Sequence, residues 1–438
     1  MAKFKDSLEA ITSNIHLWDI NHTQTSIKAC KTIVYYPLAS IENSDSIDFR
    51  IPGHPNLMLD YIDVMTDFKI TPEIDPAARA QASVVSNLAN SLWKNVQVSI
   101  GGVNLLQSFD HAYNIITWFD IALNSNPDRE DVLLLKECFL MDNATNKADS
   151  ESVVIYDTDV VPAAGENPEV PALVAPNSSA AKRIARVHSH ATLIAELHCP
   201  IFKQDKLLPA NLPINVKLVK CPEGFPMLCA STVLNHIELD KVQLRVHYKE
   251  LPEHAFTAVE TRLLKEPARY EVDNQLVTFH AIPAGRQSVT FNNLFNGPLP
   301  KFFICGVNHR SAYANSKDKN PYTFLHMRKI QAFINGEEYF AAAVDNHCTM
   351  VDAFQEALGL KTKGACLISP LNYDIHHVMP FTLTADKSIR THLNLMKTGN
   401  VRLEVDLTNV SIEGLILVVY ALYDRVIEID TNRQVNII

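Results

Sequence analysis

The chain has 438 residues, a hydrophobic content of 47% and a formal net charge of -10 at pH 7. This length and apolar content predict two or three hydrophobic cores, more than one sandwich domain can hold. The acidic balance disfavours direct nucleic-acid binding, because it repels phosphate backbones and the dense basic cluster of Lys182, Arg183 and Arg186 is too short for a binding stripe.

The amino-terminal stretch and the cysteines bear on the cellular compartment. Lys3, Lys5, Asp6 and Glu9 stand where a secretory signal would have an unbroken apolar run, so we expect the protein to fold in the cytosol or nucleus. The longest apolar run, 415–423, is about half the length of a membrane-spanning helix and predicts no membrane span. The eight cysteines form no CxxC pair and are interpreted as small core hydrophobes.

Strand signals dominate the chain, and helical patterns interrupt them in the first half. Period-two alternation or enrichment in β-branched residues predicts strands at 46–51, 61–70, 95–100, 214–219 and 242–248. Apolar residues on one helical face predict two helices, the first with Val84, Val85, Leu88, Leu92 and Trp93, the second with Ile115, Ile116, Phe119 and Leu123. Pro127 and Asp128 give a helix-start signal before 132–140.

Residues 145–181 contrast with both flanks. They are rich in proline, alanine and polar residues and show no usable period. This composition predicts a long exposed loop or tower. Loops longer than about 15 residues within a compact domain are usually functional or mobile, so we expect an outward-facing excursion.

The chain also repeats itself weakly. Three pairs of segments resemble each other and occur in the same order, namely 95–106 with 329–340, 210–220 with 397–407, and 240–251 with 415–429. A repeated order of matching strands over about 200 residues suggests two copies of one β-sandwich, joined near 251–266.

One segment of the last third resembles a known protein family. Residues 291–324 resemble the part of double jelly-roll major capsid proteins in which a strand leads through G-x-L-P-K into an apolar strand and then an Asn-Pro-aromatic-x-Phe element. The matching residues are Gly297, Leu299, Pro300, Lys301, Asn320, Pro321, Tyr322 and Phe324. The resemblance is to the adintovirus and Polinton (Maverick) type, in the adenovirus-hexon-like lineage.

Further patches extend the resemblance from about residue 20 to the end. Residues 47–64 resemble the family's opening strands, 196–220 resemble a later stretch, and the terminus resembles the closing strand with Glu428, Ile429, Asp430 and Arg433 in matching places. The chain departs from the family at His377 and Val378, where a Gly-Tyr pair is usual, and the 145–181 loop has no clear counterpart. These departures concern loops rather than strands.

The resemblance implies an all-β fold of two tandem eight-stranded jelly-roll sandwiches with helical insertions and a long exposed loop. It divides the chain into an N-terminal arm (1–20), a first jelly roll (21–250) that carries the 145–181 loop, and a second jelly roll (251–438). The arm has a short amphipathic pattern formed by Phe4, Leu8, Ile11 and Ile15. We expect the arm to lie at the base of the assembly and to contact neighbouring units.

The resemblance also implies a structural protein of a double-stranded DNA virus. Its homotrimers would form pseudo-hexameric capsomers that tile an icosahedral shell, with large apolar interfaces between subunits. The implied partners are the chain itself, neighbouring capsomers, a single jelly-roll penton protein at the vertices and minor capsid proteins. The implied location is the virion capsid, after synthesis in the host cytoplasm and with assembly there or in the nucleus.

Some histidines could begin a metal site. His188 and His190 form an H-x-H pair that would direct both rings to one face of a strand, with His198 and Cys199 further on. The resemblance places this stretch on a strand that enters the core, which favours packed or interface histidines. His376 and His377 are adjacent, so they would lie on opposite strand faces and could not easily chelate together.

The sequence gives little support to catalysis. No GxSxG elbow surrounds any serine, and Gly101 and Gly102 lack the spacing of a phosphate-binding loop. Glu337 and Glu338 follow the hairpin-turn signal Asn335-Gly336 and are interpreted as solvated turn charges. Asp424, Glu428, Asp430 and Arg433 could form a local charge network or, as the sharper alternative, a calcium site. We predict no catalytic, cofactor-binding or metal-binding residue.

Two other functions stay open at this stage. A jelly-roll ligand- or carbohydrate-binding module would need an exposed aromatic platform, but Trp18, Trp93 and Trp118 fall near the amino terminus or on helix-like stretches. A copy of the capsid gene retained in a host genome is compatible with the same residues.

Overall fold

The computed structural model describes residues 20, 22–42, 44–72, 82–107, 109–142, 178–187, 189–229, 235–295, 297–340, 344, 347–357, 366–368, 376–385, 387 and 392–438. The predicted arm up to residue 19 and the predicted loop up to residue 177 lie outside these residues. Residues 178–181 of that predicted loop belong to a helix instead, so this part of the loop prediction is wrong.

Antiparallel strands form most of the first half. They are β1 (Ala29–Tyr35), β2 (Ser46–Ile51), β3 (Leu57–Thr71), β4 (Ala82–Val84), β5 (Trp93–Ile100), β6 (Val103–Asn104), β7 (His190–Glu196), β8 (Ile214–Lys220), β9 (Met227–Cys229) and β10 (His236–Glu250). Strand β2 shows why these sequences form strands: Ile47, Phe49 and Ile51 are buried and alternate with the exposed Asp48 and Arg50.

The second half is built in the same way. Its strands are β11 (Ala268–Ile282), β12 (Ser288–Phe291), β13 (Phe302–His309), β14 (Met327–Ile334), β15 (Glu337–Glu338), β16 (Val378–Thr382), β17 (Val401–Leu407), β18 (Leu415–Ile429) and β19 (Val435–Ile437). Strands β13 and β18 are central; β13 is almost fully buried, and the apolar run of β18 is buried from Leu417 to Leu422, which explains their continuous apolar runs.

Six α-helices connect or cover the sheets within the described residues. They are α1 (Leu88–Ser91), α2 (Ala112–Asn124), α3 (Glu130–Glu137), α4 (Ser178–Val187), α5 (Glu253–Leu263) and α6 (His347–Ala357). Single 3₁₀ turns lie at Pro127–Arg129, Pro200–Phe202 and Arg310–Tyr313.

The two halves have one strand order. The first half forms the sheets β1-β10-β3-β7 and β2-β8-β5-β6, and the second half forms β11-β18-β13-β16 and β12-β17-β14-β15. If the extra pair β4-β9 and the terminal β19 are set aside, the described residues of each half form eight strands. Their order is first-eighth-third-sixth in one sheet and second-seventh-fourth-fifth in the other, which is the jelly-roll arrangement of two facing Greek-key sheets. The predicted fold class is therefore confirmed.

The weak sequence repeats fall on strands that have the same position in the strand order of each half. Segments 95–106 and 329–340 cover the fourth and fifth strands of their halves, and the other two pairs cover the seventh and eighth strands. Asn335 and Gly336 have φ values of 54° and 90° and join β14 to β15. This is the left-handed backbone of a tight hairpin, as the Asn-Gly signal predicted.

The hydrophobic cores cross the boundary between the halves. One core lies within the first sandwich and also includes Tyr270, Val272, Ile427, Ile429 and Val435 from the second half. The other core lies within the second sandwich and includes most of the apolar face of α2. Pairing of the described strands therefore stays within each half, while apolar side chains pack across the boundary between the halves.

One of the three predicted helices needs correction. Helix α2 confirms the predicted helix around Ile115, and α3 lies where the Pro127 signal placed a helix. The predicted helix over 84–93 is wrong, because only α1 is helical and Trp93 begins β5. Nearly every residue from 82 to 93 is buried, so apolar spacing could not reveal one face there. Helices α5 and α6 were not predicted.

Candidate assembly surfaces and the joint between the sandwiches

The aromatic face of α2 forms the centre of a joint between the two sandwiches. The Trp118 ring is fully buried and stacks on Tyr322, with ring centroids 5.8 Å apart and an interplanar angle of 6°. Phe119 stacks on Tyr420 at 5.3 Å and on Phe324 at 5.8 Å. A helix from the first half therefore fills a gap lined by aromatic residues of the second half.

The Asn-Pro-Tyr element of the family resemblance lies in this joint. The Tyr322 hydroxyl is 2.5 Å from the Ser91 hydroxyl, and the Asn320 side-chain amide donates to Asp142 at 2.9 Å. The Asn320 oxygen accepts from the Tyr322 backbone N–H at 3.0 Å, which fixes the turn. Burial raises the pKa of Tyr322 well above its ordinary value, so the phenol stays neutral. The motif thus has a structural role that the sequence did not disclose.

A buried ion pair completes the joint. Arg183 of α4 donates to Asp142 at 2.7 Å, and both side chains are fully inaccessible to solvent. Arg183 also donates to the backbone oxygens of Val84 at 3.0 Å and Leu140 at 2.8 Å. Both charges are therefore hydrogen-bonded as well as paired, which burial of charge requires.

Sequence reasoning missed the role of Arg183. It grouped this residue with Lys182 and Arg186 as a basic cluster, but only Arg183 is buried. A signal was available, because Ala180, Arg183, Ile184 and Val187 follow the spacing i, i+3, i+4, i+7 and share one helix face.

Neutral histidines line the joint. The two ring nitrogens of His376 lie 3.1 Å from the Tyr322 carbonyl and 3.2 Å from the Asp142 carbonyl. His111 stacks on Phe225 at 4.5 Å and meets Tyr313 edge-on. Burial lowers the pKa of His376, and burial lowers that of His111 to about 4, so both rings are neutral near pH 7.

The histidines singled out in the sequence are dispersed. His190 is exposed and lies 3.7 Å from Asp240, whereas His198 is buried 2.9 Å from Asp120. Cys199 is buried in the first core, and His188 lies outside the described residues. His377 contacts Met350 rather than the partners of His376. In the described part of the chain, no three His, Cys, Asp or Glu side chains are placed to hold a metal ion.

The closing-strand charges bind separate partners. Asp424 pairs with Lys301 at 2.6 Å, Glu428 with Arg269 at 2.7 Å, and Arg433 donates to both oxygens of Glu260 at 2.8 and 2.9 Å.

These contacts do not form the local network considered from the sequence. Lys301, which belongs to the G-x-L-P-K motif, also pairs with Asp273 at 2.5 Å and is itself only 4% exposed. Arg433 further donates to the Ala210 carbonyl at 2.7 Å and so fastens the end of the chain to the first sandwich.

An exposed apolar patch lies beside a cleft of the second sandwich. Leu393, Leu395 and Met396 have exposed fractions of 46%, 89% and 86%. They border a cleft of about 570 Å³ that Leu276 and Tyr423 also line. Contiguous exposed apolar side chains usually mark a contact surface. Sequence reasoning missed this patch, because its residues lie outside regular strands and helices.

Other sequence expectations concern tryptophans, cysteines and helices. Trp93 and Trp118 are buried and cannot form an exposed sugar-binding platform, while Trp18 lies outside the described residues. All eight cysteines are free thiols; five of them, including Cys138, Cys199 and Cys305, are buried as expected, but Cys30 and Cys348 are exposed, so the core interpretation is wrong for these two. No helix in the described ranges is both long and apolar enough to cross a bilayer.

Solved viral structures share this architecture over almost the whole chain. A chain of the Sputnik virophage structure matches 99% of this chain and 93% of its own length, with a TM-score of 0.68 and 11% identity. A chain of the PBCV-1 virus capsid matches 96% of this chain and 98% of its own length, with a TM-score of 0.59 and 12% identity. The mavirus major capsid protein matches 100% of this chain and 96% of its own length, with a TM-score of 0.56 and 11% identity. The chain has the double jelly-roll fold.

The likeness is one of structure rather than sequence. No protein-family model matches the sequence, and no curated protein is significantly similar to it. At 11–12% identity, the comparison concerns the fold of the double jelly roll. The narrower resemblance to the Polinton and adintovirus type rests on the sequence motifs alone and stays a prediction.

The buried ion pair gives a first test of the joint. Asp142→Ala should destabilise the protein by about 3–5 kcal/mol, because it leaves the Arg183 charge buried without a partner. Denaturant unfolding and calorimetry measure this loss. Glu266→Ala is the control, since it breaks the exposed, solvent-screened Arg262–Glu266 pair and should cost far less stability. Equal, small losses in both variants would contradict the role of the pair.

The neutral histidines predict a pH dependence. The folded pKa of His111, about 4, lies below its ordinary value of 6.5, so the unfolded chain takes up the proton first. The stability that the neutral His111 ring contributes is therefore fully present above pH 6.5. Between pH 7 and pH 5, protonation of His111 in the unfolded chain lowers the free energy of unfolding by about 2 kcal/mol. His111→Phe should flatten the pH dependence of the melting temperature, whereas the exposed His254→Phe should leave it unchanged. Identical pH profiles in both variants would refute the assignment.

Proposed function

We propose that the protein is a viral major capsid protein that forms pseudo-hexameric homotrimers, which tile an icosahedral shell. The observation that carries this proposal is the match of a duplicated jelly roll, over nearly its full length, to the PBCV-1 capsid and the mavirus major capsid protein. Three chains with two sandwiches each supply six similar units, so a trimer can fill a hexagonal cell. In this proposal the chain acts by self-association, without catalytic residue or cofactor.

The division of the chain supports the same reading. We assign residues 21–250 to the first jelly roll and 251–438 to the second. Strands β1 to β10 pair among themselves, and so do β11 to β19, in every sheet of the described residues. Helix α5 follows the last strand of the first sandwich and precedes the first strand of the second. Helix α5 therefore connects two sandwiches whose described strands pair only among themselves.

The finer assignments extend the proposal to the virion. The chain would be made in the host cytoplasm and assemble there or in the nucleus into the capsid of a double-stranded DNA virus. Its partners would be neighbouring capsomers, a single jelly-roll penton protein and minor capsid proteins. The Polinton or adintovirus type rests on the motifs around Lys301 and Asn320.

The exposed apolar patch formed by Leu393, Leu395 and Met396 is our candidate for a subunit contact. Leu395 and Met396 expose most of their apolar area to water, a cost that a second copy of the chain would remove. Obligate subunit interfaces are large and apolar, so such a patch belongs at their centre rather than at their rim.

Size-exclusion chromatography with light scattering tests the trimer. The wild-type chain should elute as a species of three times 49.0 kDa. The double variant Leu395→Asp/Met396→Asp should shift the population to monomer, because it would place charges in the contact, with little change in melting temperature. Leu264→Asp is the matched control, since Leu264 is 73% exposed and lies outside the patch. A monomeric wild type would refute the trimer, and a trimeric double variant would refute only the patch.

The predicted arm gives a separate test of assembly. Deletion of residues 1–18 should leave the trimer intact but impair shell formation, because the arm is expected to contact neighbouring units rather than to hold the sandwiches together. Light scattering and negative-stain imaging measure the two properties. Loss of the trimer on deletion would contradict this placement.

A further inference from the structure

A second, polar cleft lies between the two sandwiches. Its volume is about 900 Å³. Strands β3, β7 and β10 and helices α2 and α3 contribute residues from the first half, and β11 and β18 contribute residues from the second half. Arg183, Asp142 and Trp118, the residues central to the joint, do not line this cleft.

The cleft carries more acidic than basic side chains. Eight Asp or Glu residues line it, against four Lys or Arg residues. Three of these cations are already paired: Lys203 with Asp120, Lys249 with Asp60, and Lys301 with Asp273 and Asp424. The four remaining carboxylates are Glu137, Glu196, Asp205 and Glu271. No ion pair joins these four to a cation in the described part of the chain.

One of these carboxylates is buried without a partner. Glu137 is only 6% exposed, and its Oε2 atom accepts no hydrogen bond from the described residues. The nearby Asp63 is 4% exposed and has an Oδ1 atom in the same condition. Burial is the largest influence on the pKa of Glu137 and raises it; the charges of His198 and Lys136 lower this pKa in part, and those of Glu196 and Asp63 raise it. A cation that entered the cleft would offset the cost of ionising this group.

The arrangement of these carboxylates favours one kind of cation over another. A metal ion needs ligands that converge on one point, and no three acidic or histidine side chains of the described chain converge in this way. The carboxylates instead line a cleft whose walls also include the apolar side chains of Ile121, Leu133 and Phe202. Lysine and arginine side chains combine a charged end with an apolar stem and suit such walls.

We infer that the cleft between the two sandwiches binds a lysine- or arginine-rich segment of a partner protein. Glu196 and Glu271 would meet its charges from opposite sandwiches, and Glu137 would accept from the most deeply inserted side chain. Complementary charge gives such contacts their specificity and their rate of association. The inference does not depend on the trimer, because binding can be measured on the purified chain in any oligomeric form.

Fluorescence anisotropy with a labelled peptide of alternating lysine and serine tests this inference. The full chain should bind this peptide saturably, and a peptide of alternating glutamate and serine should not bind. Glu196→Gln/Glu271→Gln should weaken binding roughly three- to tenfold, because two partly exposed charge pairs are lost. Glu337→Gln/Glu338→Gln removes the same charge from the exposed β14-β15 hairpin and should have no effect.

Three results would overturn the inference. They are the absence of saturable binding, an equal loss in both double variants, and displacement of the peptide by spermine at an equal concentration of positive charge, which would indicate a polyamine site. Glu137→Gln should also weaken binding, and its melting temperature shows whether the variant folds. If Glu137→Gln does not fold, the two double variants still decide the test.

Discussion

The packing of α2 between the two sandwiches is the contact on which the rest of the structure depends. Two closed jelly rolls would otherwise be independent domains joined by α5, free to turn against each other. Trp118 and Phe119 prevent this, because they insert into an aromatic surface that includes Tyr322 and Tyr420. Each aromatic pair contributes on the order of 0.5–1.5 kcal/mol beyond burial of its area. The joint therefore makes one rigid unit from a duplicated domain.

Polar groups give this joint its fixed geometry. The Arg183–Asp142 pair adds little net stability beyond what an apolar pair of equal volume would give, since desolvation offsets the attraction. Its hydrogen bonds to Leu140 and Asn320 instead require particular distances and angles. A sliding of one sandwich over the other would leave these buried groups unpaired. Such rigidity fits the role proposed above, that of a repeating building block of a shell.

The same joint brings two different surfaces together. The apolar cleft and the acidic cleft share Lys301, Asp424, His392 and Leu393 in their walls. The Lys301 ion pairs thus lie between the surface proposed to contact another copy of the chain and the surface proposed to bind a basic partner. A protein that assembles with itself and with other components benefits from surfaces of opposite chemistry, because each disfavours the wrong partner.

Local patterns in the sequence predicted five strands of the first half, the duplication and the Asn335-Gly336 turn, because side-chain alternation and turn chemistry are local properties. They also located α2, whose apolar face is regular. Tertiary packing, by contrast, set the hydrogen-bond partners of Arg183, limited the helix around Leu88 to one turn, and placed residues of each half in the core of the other. It likewise decided where the two clefts lie. Their walls come from residues up to hundreds of positions apart, and no local pattern encodes which distant side chains become neighbours.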